Sequence, residues 1–334
     1  MRKFPLILLF ILIVIGCSNQ LNQSLEDQTL VNQLMADSDS EGLPFWTADT
    51  IKKTNPELVL LLDTLYRYVR REDYPSINLS EKREWMENYR NKLGGYYNRK
   101  HLGPDSVSLL DKANLVILTA DSLWALDNNE STMGMVVNDG STYTRRQFQE
   151  FNYFEKLLSL SESPEYTKAM EEEFAAWQDL QTIIEEIAFN LSSILYHGGS
   201  IRGIINGNSS SNILMAHLNI YKRDYSLLTN FPYTSIDYGV IPEGGRDLLS
   251  FCINGLIKES ENCLNSYEPK DQESLKSDYD ALFTAYKNLP GVIDNWIAKR
   301  KEVSSFATDN QSNELNLHTG ELLVRLSNVI SSLQ

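Results

Sequence analysis

Apolar residues recur at helical spacing along almost the whole chain, and no stretch alternates cleanly between turn residues as a half-buried strand would. Leu58, Leu61, Leu62, Leu65 and Val69 mark one face. Ser80 stands where a cap would open a helix through Trp85, Tyr89 and Leu93 to Gly94-Gly95. Pro104 occupies a first helical position before Val107, Leu110, Leu115, Leu118 and Leu123. A loop is expected over 127–141, with Thr142 or Thr144 opening a helix through Phe148, Phe151, Phe154 and Leu158. Ser163-Pro164 reads as an N-cap followed by proline at N1, opening a long helix that reaches about Tyr196. A Gly/Ser/Asn-rich loop follows from His197 to Ser210. Further helices are expected at about 211–229, 246–265, 271–288, 291–306 and 313–333, separated by Pro232, Pro242, Pro269 and Pro290. The pattern predicts an all-α fold, a helical bundle of antiparallel hairpins. The pairs Trp85/Gly94-Gly95 and Trp177/Gly198-Gly199, with a third around Trp296, suggest that the hairpin repeats. The four helical tryptophans, Trp85, Trp124, Trp177 and Trp296, read as core; Trp46 lies beside Pro44, apart from them.

The N-terminus carries a different kind of signal. Arg2 and Lys3 precede an uncharged run from Phe4 to Ile15, too short to span a bilayer comfortably, and Gly16-Cys17 closes it. This order resembles the lipobox of bacterial lipoproteins. The resemblance implies cleavage before Cys17, lipid on Cys17, and residence in the bacterial cell envelope, facing the periplasm or the surface. The implied layout is a signal peptide at 1–16, a polar lipidated tether at 17–49, an N-terminal helical region at 50–160 and a C-terminal one at 161–334.

Charge narrows the partners. The formal net charge is −15, and −17 without Arg2 and Lys3. Nucleic acid and polybasic docking on anionic lipid are disfavoured, because both need a basic face. An acidic surface instead attracts a cationic partner. Of three cysteines, Cys17 goes to lipid. Cys252 and Cys263 would lie about 16 Å apart on an unbroken helix at 1.5 Å per residue, so a disulfide requires a break between them, for which Gly255 is the candidate; the alternative is two buried free thiols.

Residues 165–228 resemble the helical domain of the LprI-like lysozyme inhibitors. The matching features are Trp177 in Glu171–Trp177, the helix leading to Gly198-Gly199-Ser200-Ile201, and Arg223 and Leu227 in the next helix. The family pattern places a cysteine in each helix; here those neighbourhoods hold Glu185 and Met215. The resemblance implies a hairpin that binds a cationic enzyme such as lysozyme.

No metal or cofactor is expected. His101, His197, His217 and His318 have no metal-ligand spacing and read as surface or partly buried helix residues. Glu171-Glu172-Glu173 and Glu185-Glu186 read as solvated acidic faces, with no pair selected for glycosidase chemistry. No nucleophile elbow, P-loop or dinucleotide fingerprint occurs. The expected partner-binding element is the loop with His197, Gly198, Gly199, Ser200 and Arg202, presenting an imidazole, a guanidinium and glycines that let backbone approach a partner. The function expected is therefore non-enzymatic protein binding at the envelope, with a glycan-binding or scaffolding role in a nutrient-uptake complex as the alternative.

Overall fold

A computed structural model describes residues 55–71, 73–74, 77–125, 132–197, 199, 202–229 and 245–333, with side chains described outside 121–141 and 245. Cys17, the signal segment, the tether, Trp46 and the side chain of Trp124 lie outside this set. The described residues form only helices and the turns between them: α1 (Pro56–Val69), α2 (Leu79–Arg99), α3 (Leu109–Ala125), α4 (Thr132–Leu158), α5 (Pro164–Leu195), α6 (Arg202–Thr229), α7 (Gly245–Ser266), α8 (Pro269–Ser304) and α9 (Asp309–Ser331). The fold is all-α. Among the described residues no helix is long and apolar enough to cross a membrane.

The chain divides into two compact units, residues 1–64 and 65–334. The described part of the first is the start of α1. In the second, the broadest helix pairs are α5 with α8, α4 with α6, and α7 with α9, none of them consecutive in sequence; α2 with α3 is the broadest consecutive pair. Helices on either side of residue 160 therefore share one core.

Helix starts follow side-chain caps. Ser163 caps α5 as its sequence implies, its side chain accepting from Tyr166 N at 3.3 Å with Pro164 at the first turn. Elsewhere the caps move. Asn78, not Ser80, opens α2 by accepting from Glu81 N at 2.9 Å. Ser108, not Pro104, opens α3, its hydroxyl accepting from Asp111 N at 3.1 Å. Thr142 and Thr144 stand inside α4, which begins at Thr132, so residues 132–141 are helix where a loop was expected.

Packing carries three helices through expected breaks. Gly94-Gly95 lies inside α2, whose next turn buries Tyr96 and Tyr97. A Cβ at Gly94 would sit 2.5 Å from Leu109 Cδ1, so the glycine lets α3 approach α2. Residues 202–210 belong to α6, where Ser209 and Ser211 are buried and their small side chains permit close helix contact. Pro290 lies within α8 rather than between two helices. It has no N–H to offer the carbonyl four residues back, a cost of about 3 kcal/mol. The helix continues because Leu282, Ala285 and Leu289 before it, and Ile293, Trp296 and Val303 after it, are all buried along one face. Each such residue contributes roughly 1.5–3 kcal/mol on burial if large, so the face outweighs the one missing bond.

Aromatic stacking ties α1, α2 and α4 within the second unit. Tyr68 stacks on Trp85 at 3.7 Å between ring centroids, Trp85 on Tyr89 at 4.9 Å, and Tyr89 meets Phe148 edge-on at 5.4 Å. Trp177 and Trp296 are fully buried; Trp85 is half-buried. A polar stitch joins α2, α3 and α4: Arg90 Nε donates to Asn152 Oδ1 and Asn152 Nδ2 to Asn114 Oδ1, each at 2.7 Å.

Cys252 and Cys263 are unbridged, on one unbroken turn-by-turn helix that runs straight through Gly255. The break that a disulfide needs does not form, because Leu249, Ile253, Leu256 and Ile257 keep one continuous buried face. Both thiols are half-buried rather than buried.

Candidate functional site

The expected binding loop is shorter than its sequence suggested and partly engaged. Tyr196 ends α5, and Gly199 N donates back to Tyr196 O at 3.0 Å. Gly198 and Ser200 lie outside the described residues. His197 Nε2 is 3.6 Å from Asp271 Oδ1, and its ring meets Tyr267 edge-on at 5.5 Å. Tyr267 is itself anchored, its hydroxyl donating to Ile194 O at 2.8 Å. The imidazole thus faces the α7–α8 turn rather than solvent alone. Arg202 is exposed as the first residue of α6.

The densest chemistry sits elsewhere, in the core between α4, α5, α6, α8 and α9. Glu150, Glu173, His217, Asp224, Arg300 and His318 are each at most 5% exposed. Two of the four histidines and one of the three consecutive glutamates are therefore buried, where surface or partly buried positions were expected for the histidines and a solvated face for the glutamates. Glu150 Oε1 accepts from Trp177 Nε1 at 2.8 Å and lies 2.6 Å from His217 Nδ1. The His217 ring stacks on Trp177, with centroids 3.9 Å apart and planes 12° from parallel. Its Nε2 is 3.8 Å from Glu173 Oε1, a charge contact without a hydrogen bond. Glu173 in turn accepts from Trp296 Nε1 at 3.0 Å and Tyr221 Oη at 2.5 Å. Arg300 Nη1 lies 4.0 Å from Glu173 and donates to Asp224 Oδ2 at 2.8 Å. His318 Nδ1 is 2.7 Å from the other Asp224 oxygen, and Arg300 Nε donates to Thr319 Oγ1 at 3.2 Å.

These groups set one another's charge. Burial would push Glu173 up, but His217, Arg300 and Tyr221 outweigh it and hold the carboxyl below its ordinary value. Burial likewise works against the Asp224 carboxylate, and Arg300 and His318 overcome it. Burial favours a neutral His217 ring, yet Glu150 and Glu173 raise its pKa. Three carboxylates face one guanidinium and two imidazoles, so the cluster is neutral when both rings are protonated. Buried among the helices, its members pair with one another across α4, α5, α6, α8 and α9.

An open site lies on the α5–α6 pair, a cavity of about 290 Å³ lined by Glu185, Glu186, Ala188, Phe189, Asn206 and Ser210. Glu185 accepts from Gln181 Nε2 at 2.9 Å and from Tyr143 Oη at 3.3 Å, both neutral donors. Burial pushes its carboxyl up to about 7. Glu186 is exposed and Phe189 is 50% exposed. On the far wall Asn206 is held by Ser192. Among the described residues no group of His, Cys, Asp or Glu is arranged to hold a metal ion.

No protein-family model matches the chain, and comparison with curated proteins and with solved structures gives no match. The functional reading therefore stands on the residues themselves.

Proposed function

We propose that this chain is a lipid-anchored protein of the bacterial envelope that binds a cationic protein, with lysozyme inhibition as the specific form. The observation that carries the reading is how the charge is distributed. Many of the basic side chains are already occupied by carboxylates of the same chain. Arg83 pairs with Glu155 and Glu171, Lys156 with Asp111, Lys299 with Glu172 and Glu302, and Arg223 and Arg325 with Glu321. Arg300 is committed to the core. These pairs tie up basic groups, and the net charge of −15 leaves carboxylates in excess over the whole chain. Such a field raises the encounter rate with a basic protein and weakens with salt. The Gly16-Cys17 signal would place it at a membrane surface, where lipid supplies the anchor.

The test is lysis of cell-wall substrate by a cationic lysozyme, with and without the purified protein, at low and moderate salt. Salt-sensitive inhibition at stoichiometric ratios supports the reading. Full lysis in the presence of folded, helical protein overturns the lysozyme form and favours the scaffolding or glycan-binding alternative, which a shift of tryptophan emission on adding sugar would then report.

A further inference from the structure

We propose that the cavity between α5 and α6 is a receptor for one arginine side chain of the cationic partner, with Glu185 as its counter-ion and Phe189 as its stacking surface. The inference deepens the proposed function and rests on it for the source of the arginine.

Three features of the site point the same way. Its volume, about 290 Å³, lies at the small end of ligand cavities, which run from about 300 to 1,000 Å³, and suits a single long side chain better than an extended ligand. Glu185 is paired only with neutral donors, Gln181 and Tyr143, so its negative charge is solvated by hydrogen bonds but not neutralised. The contrast with the core is direct: Glu173 and Asp224 each have a guanidinium within 4.0 Å. Phe189, 50% exposed and lining the same cavity, supplies an aromatic ring on which a planar cation can stack. A guanidinium can lie flat on that ring while its N–H fork reaches a carboxylate, a geometry an ammonium cannot match. Glu186 adds a second negative charge at the cavity, and Asn206 and Ser210 line the opposite wall with neutral polar groups.

The chemistry also gives the site a pH dependence. The groups around Glu185 are Gln181 and Glu186 on its own helix, Tyr143 and the more distant Glu150 on α4, and Asn206 and Ser210 on α6. With its carboxyl pushed up to about 7, Glu185 is mostly protonated at pH 6 and mostly ionised at pH 8. Binding of a permanent cation should therefore strengthen about tenfold across that interval.

The probe is N-acetyl-L-arginine amide, whose only charge is the guanidinium, titrated into the full chain in neutral detergent and followed by ligand-observed NMR. N-acetyl-L-citrulline amide is the uncharged isostere. The variant is Glu185→Gln, which keeps the hydrogen bond from Gln181 and removes a charge that costs stability when ionised, so it should fold at least as well as the parent; far-ultraviolet circular dichroism checks this. The expected result is saturable binding of the arginine probe, about tenfold stronger at pH 8 than at pH 6, with at least tenfold loss both in Glu185→Gln and with the citrulline probe. Equal binding of the two probes, unchanged binding in Glu185→Gln, or no binding to the parent at pH 8 overturns the proposal. The lysozyme assay separates the two readings. Inhibition that survives in Glu185→Gln removes the cavity from the interaction and leaves the proposed function standing. Arginine binding without any lysozyme interaction keeps the site and removes that partner.

Discussion

Replacing Arg300 with methionine tests whether the buried charge cluster holds the helices together. Arg300 is 3% exposed and is the one permanent cation among the cluster's six members. Its guanidinium lies 2.8 Å from Asp224 and 4.0 Å from Glu173. At an effective dielectric of about 20, unit charges at such distances attract by about 4 to 6 kcal/mol each. Returning the guanidinium to water on unfolding recovers several kcal/mol of that, so the net loss expected when one partner of such a buried pair is removed is about 3–5 kcal/mol. In a unit of this size that corresponds to a fall in Tm of about 5–9 °C. The assay is urea unfolding, followed by circular dichroism and by emission from the buried Trp177 and Trp296. The cost should also depend on pH. Asp224 and Glu173 are held below their ordinary values, so the stability they contribute is present above about pH 4 and is lost as pH falls through their lower folded values. Without Arg300 these carboxyls take up protons more readily, so the penalty should be largest near pH 7 and shrink toward pH 4. A double-mutant cycle with Asp224→Asn should give a coupling of at least about 1.5 kcal/mol. A loss below about 1 kcal/mol at pH 7, or one that is equal at pH 7 and pH 4.5, would refute the reasoning.

Four further outcomes follow from particular residues. His217 has its pKa raised by Glu150 and Glu173, so its contribution is fully present below the unfolded value near 6.5 and is lost as pH rises through the folded value; the stability gap between the parent and His217→Gln should narrow between pH 6 and 9 in urea titrations. Pro290 is exposed within α8, and Pro290→Ala should stabilise by about 1–3 kcal/mol by restoring a backbone donor, measured as a higher denaturation midpoint at unchanged slope. Gly255 stands in mid-helix with open space where a Cβ would go, so Gly255→Ala should add about 0.5–1 kcal/mol, whereas a functional break at that position would make it destabilising. Thiol titration of the unreduced, denatured chain should report both Cys252 and Cys263 as reactive, and a value of zero would restore the disulfide.

Helical spacing made the architecture legible, because burial of an apolar stripe is a local property of each segment. The Ser163-Pro164 start succeeded for the same reason: cap and proline are neighbours in sequence. Breaks were harder. Gly94-Gly95, Pro290 and the Gly/Ser/Asn stretch before Ser211 carry local signals to stop, and each is overridden by a partner helix that the local sequence does not name. The polar core was missed because its pairs span long separations, as with Glu150 and His217 or Glu173 and Trp296. A signal was present nonetheless. His217, Tyr221 and Asp224 recur at i, i+4 and i+7, and Trp296 with Arg300, like Glu173 with Trp177, at i and i+4. Polar residues on the stripe that should be apolar mark a helix face that meets complementary charge.

Buried ions and the open cavity then divide the work between specifying the fold and binding a partner. A bundle held only by apolar stripes tolerates sliding, since leucines on neighbouring turns are nearly equivalent. A half-turn slip of α6 would carry His217 away from Glu150 and Asp224 away from both Arg300 and His318 together, separating buried groups from their partners. That penalty selects one register, and the register in turn sets Asn206 and Ser210 of α6 opposite Glu185 and Phe189 of α5. On this account, weakening the core by Arg300→Met should loosen arginine binding at the cavity even though no member of the charge cluster lines it, whereas Glu185→Gln should lower binding at least tenfold without loss of stability. If Arg300→Met bound the arginine probe with parental affinity under conditions where it remains folded, the core would hold stability alone, and the cavity would owe its geometry to local contacts such as Ser192 with Asn206.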